Sequence, residues 1–153
     1  MRVRVPPRPQ KIKKAMTDFT IISKFRNKDQ CERLVFELEK RGRICYNFCS
    51  KPSDPKNPDG SPEEQMKVFE EVSDFFNDEY FNHVFETDLA GLKNAEKIIM
   101  LLPAGNSVHI EAGIAYGLGK PLILIGKPEK PESLYLIFKE RYDTIEEFLE
   151  SLK

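Results

Sequence analysis

The chain has 153 residues, 40% apolar and 32% charged, with a formal net charge of -1, which suits one domain with a buried core. The charge is uneven: residues 1–15 hold six bases and no acid, leaving 18 of the 24 bases against all 25 acids. So acidic a body argues against a polymeric nucleic-acid surface, no apolar run reaches the ~18 residues of a membrane span, and three cysteines without a disulfide framework point to a reducing, cytoplasmic setting.

Residues 1–15, MRVRVPPRPQKIKKA, contain three prolines and no apolar period, and predict a disordered basic tail. RVRVPPRPQ resembles the translated end of a tRNA gene, so the natural start is expected at Met16; a basic arm that binds nucleic-acid phosphates is the alternative. FTIIS, 19–23, reads as a first strand. Cys31, Leu34, Val35 and Leu38 have helical spacing within 28–41, with Asn27 as cap and Gly42 as stop. RICYNF, 43–48, is a second strand.

Residues 50–62, SKPSDPKNPDGSP, form a long loop of the kind that serves as a lid or binding loop. Ser61, Pro62, Glu63 and Glu64 open a helix as cap, N1 proline and acidic first turn. Helical pattern runs over about 62–76 and again over about 78–93. KIIMLL, 97–102, and PLILIG, 121–126, are continuous apolar runs, as buried parallel strands should be. Between them a helix over 106–119 starts with Asn106 or Ser107 as cap and stops at Gly119. DTIEEFLESLK closes the chain as a capped amphipathic helix. The sum is a single α/β domain over 16–153, a doubly wound, flavodoxin- or Rossmann-like sheet of about five mainly parallel strands.

In LLPAGNSVHIEAG a buried strand gives way to a tight turn and a helix. Ligands of parallel sheets bind beyond the strands' carboxyl ends, so residues 103–107, with Gly105, Asn106 and Ser107 among them, should line a site. Glu111, four or five residues into the helix, shares a face with Val108, Ile114, Ala115 and Leu118. The helix start should favour its ionised form, as a carboxylate nucleophile requires. A structural acid paired inside the fold fits the residues equally well.

Asp88 is the second candidate, on the inward side of its helix by spacing from Val84 and Phe85, with a solvated helix acid as the plainer reading. Two carboxylates facing one pocket suit glycosidic cleavage. Tyr46 and Phe48 end the second strand, to stack on a base or to fill the core. Gly113 and Gly117 suggest close packing, and His109 falls off the Glu111 face. Phe75, Phe76, Tyr80, Phe81 and Phe85 read as core or as a dimer surface. Cys45 and Cys49 alone do not complete a metal site, and no Walker or dinucleotide fingerprint is present, so neither metal nor cofactor is expected.

Over about residues 18–126 the chain resembles the nucleoside 2-deoxyribosyltransferase family and its N-glycoside hydrolase relatives. The resemblance rests on Asp88, the strand Ile98 to Leu102, Glu111, Gly113, Ala115, Gly119 and Lys120, in that order. It implies that Glu111 attacks C1′ of the sugar and that Asp88 helps bind and protonate the base. It also implies a small-molecule nucleoside or nucleoside 5′-monophosphate as substrate, bound near Ser23, Phe25, Tyr46 and residues 105–107, and a homodimer. Ser23, Lys24 and Phe25 replace the small residues common in the family after the first strand. Gly105 and Asn106 stand where many transferases have an acid. Lys24, Arg26 and Ser107 are positioned to favour a phosphate. A silent nucleotide-binding or sensor module, and a glycohydrolase of NAD-type dinucleotides, are the alternatives.

Overall fold

In the computed structural model the described residues are 16–153, so the tail expected over 1–15 lies outside them. The sheet has five parallel strands in the order β2-β1-β3-β4-β5. They are β1 (Thr17–Ile22), β2 (Cys45–Asn47), β3 (Ala95–Leu101), β4 (Leu122–Ile125) and β5 (Glu140–Tyr142). β1 and β3 lie centrally, with Thr20 opposite Ile98 and Ile22 opposite Met100. The switch in strand order falls between them, where doubly wound sheets open a crevice.

Alternation along the central strands feeds two cores. Phe19, Ile21, Ile99 and Ile123 face helix α1 (Lys28–Glu39) and helix α5 (Ile145–Ser151) through Leu34, Leu38 and Phe148. Ile22, Ile98, Met100 and Leu124 face the opposite layer. That layer holds α3 (Glu79–Asn94) and α4 (Asn106–Gly117), which supply Leu92, Val108, Ala112 and Ala115. No described helix is long and apolar enough to cross a membrane.

Three helix starts carry side-chain caps, two of them at helices the sequence marks as capped and the third, Asp78, where it marks none. Ser61 and Glu64 form a complete capping box on α2 (Pro62–Glu70), Thr144 accepts from the Glu147 amide, and Asp78 accepts from the Phe81 amide. Gly119 takes φ +77° just after α4, as a helix stop requires.

Other expectations are corrected. The helix expected to reach 76 ends at Glu70, and a short 3-10 turn, Phe75–Asn77, follows. Asn27 does not cap α1; a 3-10 turn, Phe25–Asn27, precedes that helix and the amide side chain turns to Ser23. Neither Asn106 nor Ser107 caps α4, because both lie inside the helix and Gly105 occupies the cap. Gly113 and Gly117 meet no packing partner; a Cβ on either would enter open space.

The loop between β2 and α2 is latched. Gln65, almost completely buried on α2, accepts from the amides of Ser53 and Asp54 and donates to the carbonyls of Pro58 and Gly60. Tyr80 donates to the Pro52 carbonyl from α3. Both lone-pair sites and both N–H groups of the Gln65 amide are thus used.

Candidate active site

At the carboxyl edge of β1 and β3 lies a cavity of about 410 Å³. Its walls come from the segment after β1, the turn after β2, α2, α3 and the start of α4, and include Ser23, Phe48, Lys51, Asp88 and Glu111. A second opening between α3 and α4, about 230 Å³, is lined by Phe81, Phe85, Leu89 and Ile110 and shares Asp88 and Glu111 with the first. The two carboxylates singled out in the sequence therefore border the same space.

Glu111 projects from the second turn of α4, whose other inward residues are the small or apolar Val108, Ala112 and Ala115. Its Oε2 is buried without a hydrogen-bond partner among the described residues. Burial, reinforced by the charge of Asp88 and opposed by that of Lys51, pushes its carboxyl up to about 8. The helix start was expected to favour the ionised form; desolvation wins instead, because it disfavours the charged state directly.

Asp88 is held by a side chain the sequence reading passed over. The Lys51 ammonium donates to Asp88 Oδ1 and, at 2.9 Å, to the Tyr46 hydroxyl. It also lies 5.6 Å from the Tyr46 ring centre and 6.0 Å from that of Phe48, within cation–π range. Burial raises the Asp88 carboxyl and the Lys51 hydrogen bond lowers it, the net direction being upward. Tyr46 does not line the cavity but braces Lys51 from behind. Its ring packs on α3 at Gly91, where a Cβ would stand 2.6 Å from the ring, so only glycine permits this approach. Phe48 is buried and does line the cavity.

Ser23 ties the two central strand ends together. Its hydroxyl donates to the Pro103 carbonyl at 3.2 Å and accepts from Asn27 Nδ2 at 3.1 Å. Phe25, Gly105, Asn106 and Ser107 line the cavity, and no side chain caps α4 there. Arg26, aligned with a phosphate role in the sequence, is instead occupied by Glu63 and Glu70 of α2. His109 is exposed; its Nδ1 donates to the Gly105 carbonyl at 2.7 Å and its Nε2 lies 2.9 Å from the Tyr135 hydroxyl. Cys49 faces Cys31, with 3.7 Å between the sulfurs, not Cys45. No group of three metal-binding side chains occurs among the described residues.

Strand order and cavity define a flavodoxin-like α/β domain with a cavity at the topological switch point. More narrowly, the fold is nucleoside 2-deoxyribosyltransferase-like. It is similar to the 2-deoxyribosyltransferase of the psychrotolerant bacterium Bacillus psychrosaccharolyticus, with a TM-score of 0.56 and 18% identity over 86% of this chain and 90% of that one. A Clostridium botulinum CMP N-glycosidase, BcmB, superposes with a TM-score of 0.48 and 19% identity, over 88% of this chain and 97% of that one. No family model and no curated protein matches the sequence.

Proposed function

We propose that the protein cleaves or transfers the N-glycosidic bond of a nucleoside or nucleoside 5′-monophosphate. The observation that carries this reading is the unpartnered, buried Glu111 oxygen, bordering one cavity with Asp88. A buried carboxylate oxygen without a partner costs stability and is retained where it is used. The activities named for the two structures above, deoxyribosyl transfer and CMP N-glycoside cleavage, agree with it in class.

In the reaction the ionised Glu111 attacks C1′. The C1′–N bond breaks, its electron pair goes to the base nitrogen, and a glycosyl ester forms on Glu111. Asp88, protonated beforehand, hydrogen-bonds the leaving base and gives it that proton. Water or a second base then attacks C1′ and passes its own proton to Asp88, and the C1′–O bond to Glu111 breaks, which returns the glutamate. Neither step calls on a metal or cofactor.

We further infer a homodimer. On α3, α4 and the turn before α3, Phe76 is 82% exposed, Phe85 60% and Ile110 63%. The opening between those helices leads to both carboxylates, so a second copy on this face would close the site from behind. Light scattering on the purified protein tests this; a monomer at micromolar concentration would reject it.

The functional test is base release, followed by chromatography, from ribo- and deoxyribonucleosides, their 5′-monophosphates and NAD. It is run with and without an acceptor base, and with Glu111→Ala beside the wild type. Release from one substrate, lost in the variant, is expected. Exchange that needs the acceptor base would assign transfer, and release without it hydrolysis. Silence with every substrate would overturn the reading.

A further inference from the structure

We propose that Lys51 is the positioning residue that lets two carboxylates share this cavity. The inference rests on the catalytic reading of Glu111 and Asp88 but can be tested without turnover.

The geometry is built around the ammonium. Lys51 follows directly on the 3-10 turn Phe48–Ser50 at the end of β2. That turn is fixed by the Asn47 side chain accepting from the Cys49 amide at 2.9 Å and by Ser50 donating to the Asn47 carbonyl at 2.7 Å. The Lys51 stem is thereby aimed across the cavity wall to α3. Its head meets one carboxylate, one phenol and two aromatic faces. Gly91 is what lets the Tyr46 ring stand close enough to take part. Lys51 and Asp88 are both mostly withdrawn from solvent, which sets this pair apart from the exposed ion pairs on the surface.

Two carboxylates in one poorly hydrated space resist joint ionisation, since each charge raises the cost of the other. The groups available to relieve this are few. The charged or titratable side chains on the cavity walls besides the two carboxylates are Lys24 and Arg26 after β1, Cys49 and Lys51 after β2, and Glu70 on α2. Arg26 is engaged by Glu63 and Glu70. Cys49 is a buried thiol held well above the usual thiol range, first by its hydrogen bond to Cys31 and then by burial, so it adds no charge. Lys24 is exposed. Lys51 is the cation that contacts Asp88 and also acts on Glu111, lowering its proton affinity against the effect of burial. It orients the aspartate toward the base and offsets the negative charge that this carboxyl carries when ionised, as seen by the nucleophile. Lys51 touches no reacting atom in this scheme.

The experiment follows the Glu111 carboxyl by NMR in protein labelled with 13C at glutamate carboxyls, with the signal identified by its loss in Glu111→Gln. The wild-type midpoint is expected at about 8. Lys51→Met should move it up by about one pH unit or more, while Lys51→Arg, which keeps the charge, should leave it within about 0.3 unit. An unchanged midpoint in folded Lys51→Met would overturn the proposal. Should that variant fail to fold, Lys51→Gln against Lys51→Arg carries the same test, and equal midpoints would overturn it. A wild type silent in the base-release assay, combined with a shifted midpoint in Lys51→Met, would remove the glycosidic reading and leave Lys51 in its role. Where turnover is found, the acid limb of kcat/KM should move alkaline in Lys51→Met, a change that a purely structural lysine would not produce.

Discussion

Among the described residues the five α-helices begin in two different ways. α2, α3 and α5 each start with a side chain accepting from a first-turn amide, from Ser61, Asp78 and Thr144 respectively. α1 and α4 have no such bond. These two follow β1 and β3, the central strands whose carboxyl ends border the cavity. At α1 the capping side chain, Asn27, is diverted to Ser23; at α4 the cap is Gly105, which has no side chain to offer. The three other helix starts are finished by a side chain of their own sequence, and the two that follow the central strands are not. An open helix start facing a cavity is a place where an anionic or polar ligand group substitutes for the missing cap.

The contrast can be broken at several points. The largest effect belongs to the residue the open helix presents: Glu111→Ala should lower the rate of base release by about 10^3-fold or more, measured by chromatography. The same position should reverse sign in stability. The Glu111 carboxyl is raised from 4.5 to about 8 in the folded state, so the native protein binds more protons than the unfolded chain between those values. Its contribution is therefore fully present below about pH 4.5 and is lost as pH rises to about 8. Glu111→Gln should stabilise the protein by about 2–4 kcal/mol at pH 8 and by far less at pH 5, read from denaturant midpoints at the two pH values.

Among the finished helices, Ser61→Ala should cost about 1 kcal/mol by the same measurement at any pH in that range, and spare Glu111's titration. Smallest is the reverse experiment on α4. At Gly105 φ is -95° and a Cβ would meet open space, so Gly105→Ser is sterically free to supply the absent cap. It should add a few tenths of a kcal/mol to stability while weakening substrate binding, seen as a rise in KM.

Sequence periodicity located what local physics decides. β4 and the Ile98–Leu101 part of β3 are uninterrupted apolar runs because they are covered on both faces, and Ser61, Thr144 and Gly119 act within a few residues of themselves. Asp88 and Glu111 were legible as inward-facing acids from helical spacing, although Phe85, which helped to argue it, turns out to be exposed while Val84 is not. β5 was not legible: Glu140, Arg141 and Tyr142 form an edge strand with no apolar run, held by β4 alone. The Lys51–Asp88 pair was invisible for a different reason. It joins positions 37 apart, and only the strand order brings the end of β2 beside α3. A signal did exist, since an ionisable residue a few positions beyond the carboxyl end of a parallel strand stands at the ligand edge of the sheet. The diversion of Asn27 likewise depends on Ser23 and on the chain after β3, neither of which a capping rule considers.

The latch on the loop between β2 and α2 reaches beyond the fold. A loop of about a dozen residues that became ordered only around its ligand would charge that ordering, of order 1–2 kcal/mol per residue, against affinity. Here Gln65 holds both ends of the turn through four hydrogen bonds made within the chain itself. The conformational entropy of this segment is surrendered at folding, and the ligand meets a mouth whose shape is already set.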